Sequence, residues 1–352
     1  MRRTTIAPFL AIPLFLSACV RCDTSVAADT GIVVMSYNLQ TLFDPVDQGG
    51  EYDGFVVADG DWTEAAYRSR IKALASAVLA ATPPVGDSAA DGPDVLVVQE
   101  AENARALRDL AEALGGYGYV LSSPDEEATL SCGILSRVPV TAFRAHRVRQ
   151  PGSSPSSVPR YLLEAELDAG GRRLVVMAAH LKSKLGGAED TEGERRAAAA
   201  FISSIVADRL AEDPTLAVVV AGDFNENPDE RERVGAAYPT ALMPAKAGPG
   251  PWLLISGDRA GLEPRDGQPV LFCPWDESGG YSYRYDGADE RIDQLLLSPG
   301  PLAAGDCPWA YSGFSAEPPE FAVDDSGQPL GWRNGSGYSD HLPIRVSLSP
   351  SP

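Results

Sequence analysis

The sequence predicts a single-domain, layered α/β fold with mixed β-sheets, and three observations support this prediction. The chain has 352 residues, of which 44% are hydrophobic and 22% charged, as in soluble globular proteins that bury a full core. Four short, unbroken apolar runs are typical of buried strands. Helical patterns alternate with these runs along the chain.

Each apolar run leads into polar residues. The runs are 32–35, 95–98, 174–179 and 217–221. Because they are rich in β-branched residues, they favour strands that are covered on both faces. Strands that end in polar side chains hold those side chains in fixed positions, as a catalytic or binding site requires. Two further strands are predicted at 292–297 and 344–348.

Three amphipathic patterns predict helices. The first runs from an N-cap at Thr63 to about residue 81, the second spans 103–114 and the third spans 192–210. Segments rich in Pro, Gly and Ser predict long loops, and they lie at 145–159, 244–290 and 299–338.

The N-terminus predicts export. Two arginines, a short apolar stretch and Leu-Ser-Ala-Cys indicate a signal peptide over 1–18, with Cys19 resembling the lipidated residue of a bacterial lipobox. Residues 19–30 would be a tether and 31–350 the folded domain. We therefore expect an exported, membrane-anchored monomer that faces the periplasm or the cell surface.

The charge limits the range of partners. There are 29 basic and 49 acidic residues, which give −20; removing 1–18 takes away two arginines and leaves 27 against 49, or −22. Binding of nucleic acid over a broad basic surface is therefore excluded, although a local phosphate site is not.

Cys273 and Cys307 each open a Cys-Pro-Trp triplet and could pair, whereas Cys132 is expected to be a buried apolar residue.

Eight polar residues lie at the ends of the predicted strands or in loops. They are Asn38, Glu100, His180, Asp223, Asn225, Asp293, Asp340 and His341. The chain has three histidines, and the third, His146, lies in an Arg-rich segment that predicts a solvated surface. Any one of the eight could be structural, but as an ordered set they indicate a divalent-metal phosphoesterase.

These residues carry a resemblance that covers residues 31 to 348. Tyr-Asn at 37–38, Val-Gln-Glu at 98–100, His-Leu-Lys-Ser at 180–183, Gly-Asp-Phe-Asn at 222–225, Arg-Ile-Asp at 291–293 and Ser-Asp-His-Leu-Pro at 339–343 occur in this order. The series resembles the endonuclease/exonuclease/phosphatase superfamily, and its deoxyribonuclease-like members in particular. The resemblance implies a four-layered α/β sandwich, with two mixed β-sheets packed face to face and helices outside.

The resemblance also implies roles for the residues. Glu100, Asn38 and Asp340 would bind Mg²⁺, with Mn²⁺ or Ca²⁺ as alternatives, because a hard cation prefers oxygen ligands. His180 would be a general acid, for which Glu126 or Glu127 is the expected acidic partner. The remaining implied catalytic residues are Asp223, Asn225, Asp293 and His341, and the implied phosphate-binding residues are Asn38, Asn225, Arg291 and Lys182.

These roles predict an endonuclease that uses an Asp-His pair and a Glu-bound Mg²⁺. A lipid or inositol-phosphate phosphoesterase of the same fold and a non-catalytic binding lipoprotein remain alternatives.

Six cations lie near the motifs and could hold a polyanion: Lys182, Lys184, Arg195, Arg196, Arg284 and Arg291. The alternating tyrosines 281, 283 and 285 could stack on a base or form an edge strand, and the loop tryptophans 252, 275, 309 and 332 could line a groove or anchor the loops.

Overall fold

The structure is a computed structural model that describes residues 31–82, 92–124, 129–148, 160–303 and 305–352. The predicted signal peptide, Cys19 and the tether lie outside the described residues, as do Glu126 and Glu127. Within the described part of the chain, no helix is long and apolar enough to cross a membrane.

The described residues form four helices and sixteen strands. The helices are α1 (Glu64–Ala80), α2 (Ala104–Leu114), α3 (Glu192–Glu212) and α4 (Glu230–Arg233). The strands are β1 (Ile32–Leu42), β2 (Val95–Ala101), β3 (Tyr119–Ser122), β4 (Ser131–Ser136), β5 (Val140–Val148), β6 (Arg160–Ala169), β7 (Arg172–His180), β8 (Ala217–Asp223), β9 (Leu242–Pro244), β10 (Leu253–Ser256), β11 (Val270–Phe272), β12 (Tyr283–Tyr285), β13 (Ala288–Glu290), β14 (Asp293–Leu297), β15 (Trp309–Ser315) and β16 (Ile344–Pro350).

Two large mixed sheets share one design. The first has the order β15-β16-β1-β2-β4-β3, and the second has the order β5-β6-β7-β8-β14-β11-β10-β9. Each sheet contains a parallel pair, β1 with β2 and β7 with β8, that is flanked on both sides by antiparallel neighbours. The carboxyl ends of a parallel pair lie at the same edge, so polar residues that follow the two strands are brought together there.

The hydrophobic core confirms the four layers. Alternate residues of β1 and β2, such as Val34 and Val97, are fully buried in a cluster that also contains β6, β7 and β8 residues. The intervening residues Met35 and Leu96 pack in a second cluster with α1 and α2. Helix α3 covers the outer face of the second sheet through Ile202 and its neighbours. Each sheet is therefore covered on both faces, as unbroken apolar strands require.

The prediction of three long loops was wrong in part. Strand β5 begins before residue 145 and ends at 148, the five short strands β9 to β13 lie at intervals within 242–290, and β15 lies inside 299–338. The apolar tripeptides Leu253-Leu254-Ile255 and Val270-Leu271-Phe272 are too short to stand out as strands. They are nevertheless extended, because each pairs with a neighbour in the second sheet.

Several smaller expectations are also decided. Cys273 and Cys307 are buried and form no disulfide, and Cys132 is buried as expected. Trp275 and Trp309 are almost fully buried, so they anchor their segments to the core and do not line a groove; Trp309 is the first residue of β15. His146 is not a solvated surface residue, because its Nε2 lies 2.6 Å from Oε2 of the fully buried Glu164.

Candidate active site

Three strands of the second sheet place their polar ends side by side. In the β7–β8 pair His180 lies opposite Asp223, and in the β8–β14 pair Asp293 lies opposite the same Asp223. Directly paired residues point to one face of a sheet, so the three side chains form a row. The His180 Nε2 lies 3.6 Å from the Asp223 Oδ2.

Gly222 allows the close approach of β7 and β8 in this row. A Cβ at Gly222 would lie 1.9 Å from the carbonyl oxygen of Ala179, and the backbone φ is +147°. Any side chain would therefore push the strands apart, which explains the glycine of the Gly-Asp-Phe-Asn motif in physical terms.

His341 completes the row from the segment that precedes β16. Its Nδ1 lies 2.8 Å from the Asp293 Oδ2, and its Nε2 lies 3.9 Å from the Asp223 Oδ2. Burial acts to lower the pKa of His341, but the charge and hydrogen bond of Asp293, aided by Asp223 and Asp340, raise that pKa well above its ordinary value. Burial raises the pKa of Asp223, the His341 charge opposes this, and the Asp293 charge adds to it. His180, Asp223, Asp293 and His341 are called the His341 side below.

Asn225 is held beside this row by a strained turn. Its φ is +52°, its backbone N–H donates to Asp223 Oδ1 at 2.8 Å, and its Nδ2 donates to the carbonyl oxygen of Leu181 at 3.2 Å. The turn re-aims the chain immediately after β8, so that Asn225 faces the loop that follows His180.

Asn38 links the two sheets. Its Nδ2 donates to Asp223 Oδ2 at 3.0 Å and to Glu100 Oε1 at 3.1 Å, while its Oδ1 accepts from the backbone N–H of Gln40 at 2.9 Å. Asn38 is fully buried. In this arrangement its amide fixes the spacing between two carboxylates that would otherwise repel each other.

Glu100 is held by backbone that is locally left-handed. Its own φ is +62°, and the φ angles of Gln40 and Thr41 are +50° and +59°. The Thr41 N–H donates to the second carboxylate oxygen of Glu100 at 2.9 Å. Asp340 lies nearby, since it acts electrostatically on the same two side chains, Tyr283 and Arg70, as Glu100 does. Asn38, Glu100 and Asp340 are called the Glu100 side below.

Two sets of residues could hold a metal, and they differ in chemistry. Among the described residues, Asp223, Asp293 and His341 offer ligand atoms within 4.8 Å of one another. However, Asp293 and His341 already bind each other, and an imidazole is a poor ligand for a hard cation. Glu100 is partly exposed and offers oxygen atoms alone, as does Asp340. The oxygen ligands of the Glu100 side therefore fit a hard divalent cation better than the mixed cluster does.

Most cations predicted near the site are already engaged. Lys184 forms a 2.6 Å ion pair with Glu230, and Arg284 pairs with Asp289. Arg291 donates from Nε to the carbonyl oxygen of Gly280 at 3.1 Å and stacks on Trp275. These contacts hold loops, so a phosphate contact of Arg291 stays a prediction.

The remaining three cations are Lys182, in the loop that follows β7, and Arg195 and Arg196 on α3, of which Arg196 is half-buried. Arg195 is 1% exposed and binds Glu226, Glu192 and the carbonyl oxygen of Lys182, so it is not placed to hold a polyanion, which the sequence had left open. Lys182 is half-buried and, within the described residues, makes no ion pair.

Two residues beside the site were not among the predicted catalytic, metal-binding or phosphate-binding residues. The Tyr283 ring lies 4.7 Å from the His341 ring, and burial with the charges of Asp340 and Asp223 raises its pKa to about 12. Tyr283 belongs to the hairpin of β12 and β13, so its place in a strand was one of the two expected. The other residue is Arg70, a fully buried arginine whose position on the apolar face of α1 could have flagged it.

The comparisons with known proteins agree with this geometry. The model of the endonuclease/exonuclease/phosphatase family matches residues 33–237. The chain belongs to this family. No curated protein sequence matches the chain.

Solved structures share the fold at low sequence identity. Truncated TDP2 from Caenorhabditis elegans is 17% identical with a TM-score of 0.54, over 91% of this chain and 97% of that one. TDP2 from D. rerio complexed with a single-strand DNA product is 18% identical with a TM-score of 0.53, over 91% and 100%. A mannosyl-6-phosphatase from Bacteroides thetaiotaomicron is 16% identical with a TM-score of 0.53, over 90% and 99%. The four-layered α/β sandwich is thus confirmed, and the family supports a phosphoesterase whose chemistry uses a divalent metal.

Proposed function

We propose that the protein is a metal-dependent phosphodiesterase that cleaves nucleic acid internally. The observation that carries this proposal is the pair of imidazoles on either side of Asp223, with His180 Nε2 at 3.6 Å and His341 Nε2 at 3.9 Å. One imidazole can contact the phosphate while the other protonates a poor leaving oxygen, such as that of a nucleotide sugar.

The other residues have roles that follow from their contacts. Glu100 and Asp340 would hold Mg²⁺, with Mn²⁺ or Ca²⁺ as alternatives, and the bound cation would offset the negative charge of the phosphate. Asp223 and Asn225 would orient the attacking water, since they are hydrogen-bonded to each other at the end of β8. Asp293 fixes the His341 ring, and Lys182 would supply positive charge to the substrate.

The test is nicking of supercoiled plasmid by the full-length chain in Mg²⁺ and in EDTA. We expect nicking that needs the metal and disappears in His341→Ala. Metal-independent nicking, or nicking retained by the variant, would contradict the proposal.

A second candidate is a phosphoesterase for small lipid, inositol or sugar phosphates. It is favoured by the pairing of Lys184 and Arg284 with acidic side chains, which leaves little positive charge for a long polyanion. The neighbour described as a mannosyl-6-phosphatase supports it, whereas the TDP2 structure with a DNA product supports the first candidate. Hydrolysis of sugar or inositol phosphates without plasmid nicking would select the second candidate.

The predicted export is part of the same proposal. Residues 1–18 would be removed and Cys19 lipidated, which anchors the monomeric domain to a membrane. Incorporation of labelled palmitate into the wild type and its loss in Cys19→Ala would support the anchor. An unlabelled wild-type chain would contradict it.

A further inference from the structure

Arg70 is a buried charge with unfilled hydrogen-bonding capacity. It is 0% exposed on α1, and its Nη2 donates to the carbonyl oxygens of Leu39 and Gln40, the latter at 3.0 Å. Its Nε and Nη1 are buried and have no hydrogen-bond partner. Burying a cation in this way is costly, so its presence needs an explanation beyond packing.

The carbonyl groups that Arg70 binds belong to a strained segment. Gln40 and Thr41 both have positive φ, at +50° and +59°. Left-handed backbone at residues other than glycine costs free energy and persists only where the surrounding contacts enforce it. The Arg70 guanidinium is such a contact, because it binds the carbonyl groups of Leu39 and Gln40, which lie on either side of the Gln40 φ and ψ angles.

The same segment holds both carboxylate oxygens of Glu100. The Thr41 N–H donates to Oε2 at 2.9 Å, and the Asn38 amide donates to Oε1 at 3.1 Å. The Gln40 N–H in turn fixes the Asn38 side chain at 2.9 Å. Hydrogen bonds thus run from Arg70 through the backbone of 39–41 to Glu100.

Trp332 closes the arrangement from the other side. Its ring lies 5.1 Å from the Arg70 guanidinium carbon, and its backbone N–H donates to Gln40 Oε1 at 2.6 Å. The guanidinium is therefore enclosed between α1, β1 and the loop before Asp340. Since it has no exposed surface, it cannot touch a substrate or a bound metal, and the side chains and backbone that it holds make any such contact.

We propose that Arg70 is a positioning residue for Glu100, which fixes the carboxylate for cation binding by enforcing the left-handed turn at Gln40 and Thr41. This inference rests on the proposed metal-dependent function. Residues that orient a ligand typically change metal affinity or activity by about 10- to 100-fold when they are substituted.

The test measures Mn²⁺ binding to the full-length chain by electron paramagnetic resonance, without substrate. We expect the dissociation constant to rise at least ~10-fold in Arg70→Met and by less in Arg70→Lys, because lysine keeps the charge and N–H donors on a shorter chain. The control is Arg68→Met on the same helix, whose side chain is 46% exposed and pairs with Glu64; it should bind Mn²⁺ like the wild type.

The order of the two variants separates positioning from packing. If Arg70 only fills space, methionine should be better tolerated than lysine, because it buries no charge. Wild-type affinity in folded Arg70→Met, or weaker binding by Arg70→Lys than by Arg70→Met, would overturn the proposal. So would a wild-type chain that binds no Mn²⁺.

Two additions keep the test decisive. Thermal unfolding shows whether each variant folds; if Arg70→Met does not, Trp332→Leu removes the stacking ring at a half-buried position and should weaken Mn²⁺ binding about threefold. Unchanged binding in that variant would overturn the proposal. Because no substrate is present, a chain that binds Mn²⁺ but hydrolyses nothing would refute the proposed function and leave this inference standing.

Discussion

The two sides of the site are positioned in different ways. On the His341 side, regular strands in register bring three side chains into a row, and the loop behind them is fixed by Arg195, which binds both acids and carbonyl groups. On the Glu100 side, the residues depend on left-handed backbone and on Arg70, two of whose nitrogens have no partner. The comparison indicates that the first side is preformed by the sheet, whereas the second depends on local contacts.

The largest effect is expected on the His341 side. His341→Ala should lower hydrolysis by about 10²- to 10⁴-fold, the range of an acid–base residue, because both Asp293 and the phosphate lose their imidazole partner. Steady-state rates at saturating metal would measure the loss. His146→Ala, at a histidine that contacts Glu164 instead, is the matched control and should keep wild-type rates. Near-normal turnover by His341→Ala would remove this side from the mechanism.

A second experiment uses the metal to distinguish the sides. Glu100→Gln should reduce activity about 10- to 100-fold at low Mn²⁺, and high Mn²⁺ should restore much of it, because the variant keeps its shape but binds the cation weakly. His341→Ala should gain nothing from additional metal. Titrating Mn²⁺ against rate for both variants gives the comparison. Equal rescue of both would show that the two sides are not functionally separate.

The sequence predicted the His341 side better than the Glu100 side. Unbroken apolar runs followed by polar residues locate strand ends, and His180 and Asp223 lie together as that pattern implies. Asp293 joins them from the start of the antiparallel strand β14. The motifs also included Glu100 and Asn38. The contacts that hold Glu100 and Asn38 in place could not be predicted. They depend on left-handed φ at Gln40 and Thr41, which is enforced by Arg70, 30 residues from Gln40 along the chain.

The errors of prediction have a common physical origin. Arg195 was one of the six cations that could have held a polyanion, but two buried acids, Glu192 and Glu226, surround it. The short strands between 242 and 290 carry too few residues to show a period. They are extended because β9 to β11 pair within the second sheet and β12 pairs with β13. In both cases tertiary contacts decided what local sequence could not.

The role of His180 gives a smaller effect that depends on the substrate. If His180 protonates the leaving oxygen, His180→Ala should slow cleavage of an alkyl phosphodiester about 100-fold but should scarcely affect a p-nitrophenyl diester, whose leaving group needs no proton. Rates on the two substrates measure the difference. The same factor on both would assign His180 to substrate binding or structure.

The smallest effect concerns the stability of the loop support on the His341 side. Burial, followed by the hydrogen bond and charge of Glu192, raises the pKa of Glu226 well above its ordinary value, although Arg195 and the Leu242 N–H act in the opposite direction. The Glu226 carboxyl group of the folded protein therefore keeps its proton at pH values where the same group of the unfolded chain has lost it. Its contribution to stability is complete below the unfolded pKa and is lost as the pH rises through the folded pKa.

Glu226→Gln should abolish this dependence, since the amide does not titrate. We expect the difference in unfolding free energy between wild type and variant to change by at most ~1.4 kcal/mol per pH unit above pH ~4.5, in favour of the variant as the pH rises. Urea unfolding across that pH range measures this difference. Hydrogen bonds that the variant loses shift the difference by the same amount at every pH, so they do not change its slope. Glu212→Gln, at a side chain that is 70% exposed, is the control and should run parallel to the wild type. A Glu226→Gln curve that also runs parallel would mean that the folded protein keeps Glu226 charged, with the Arg195 cation outweighing burial.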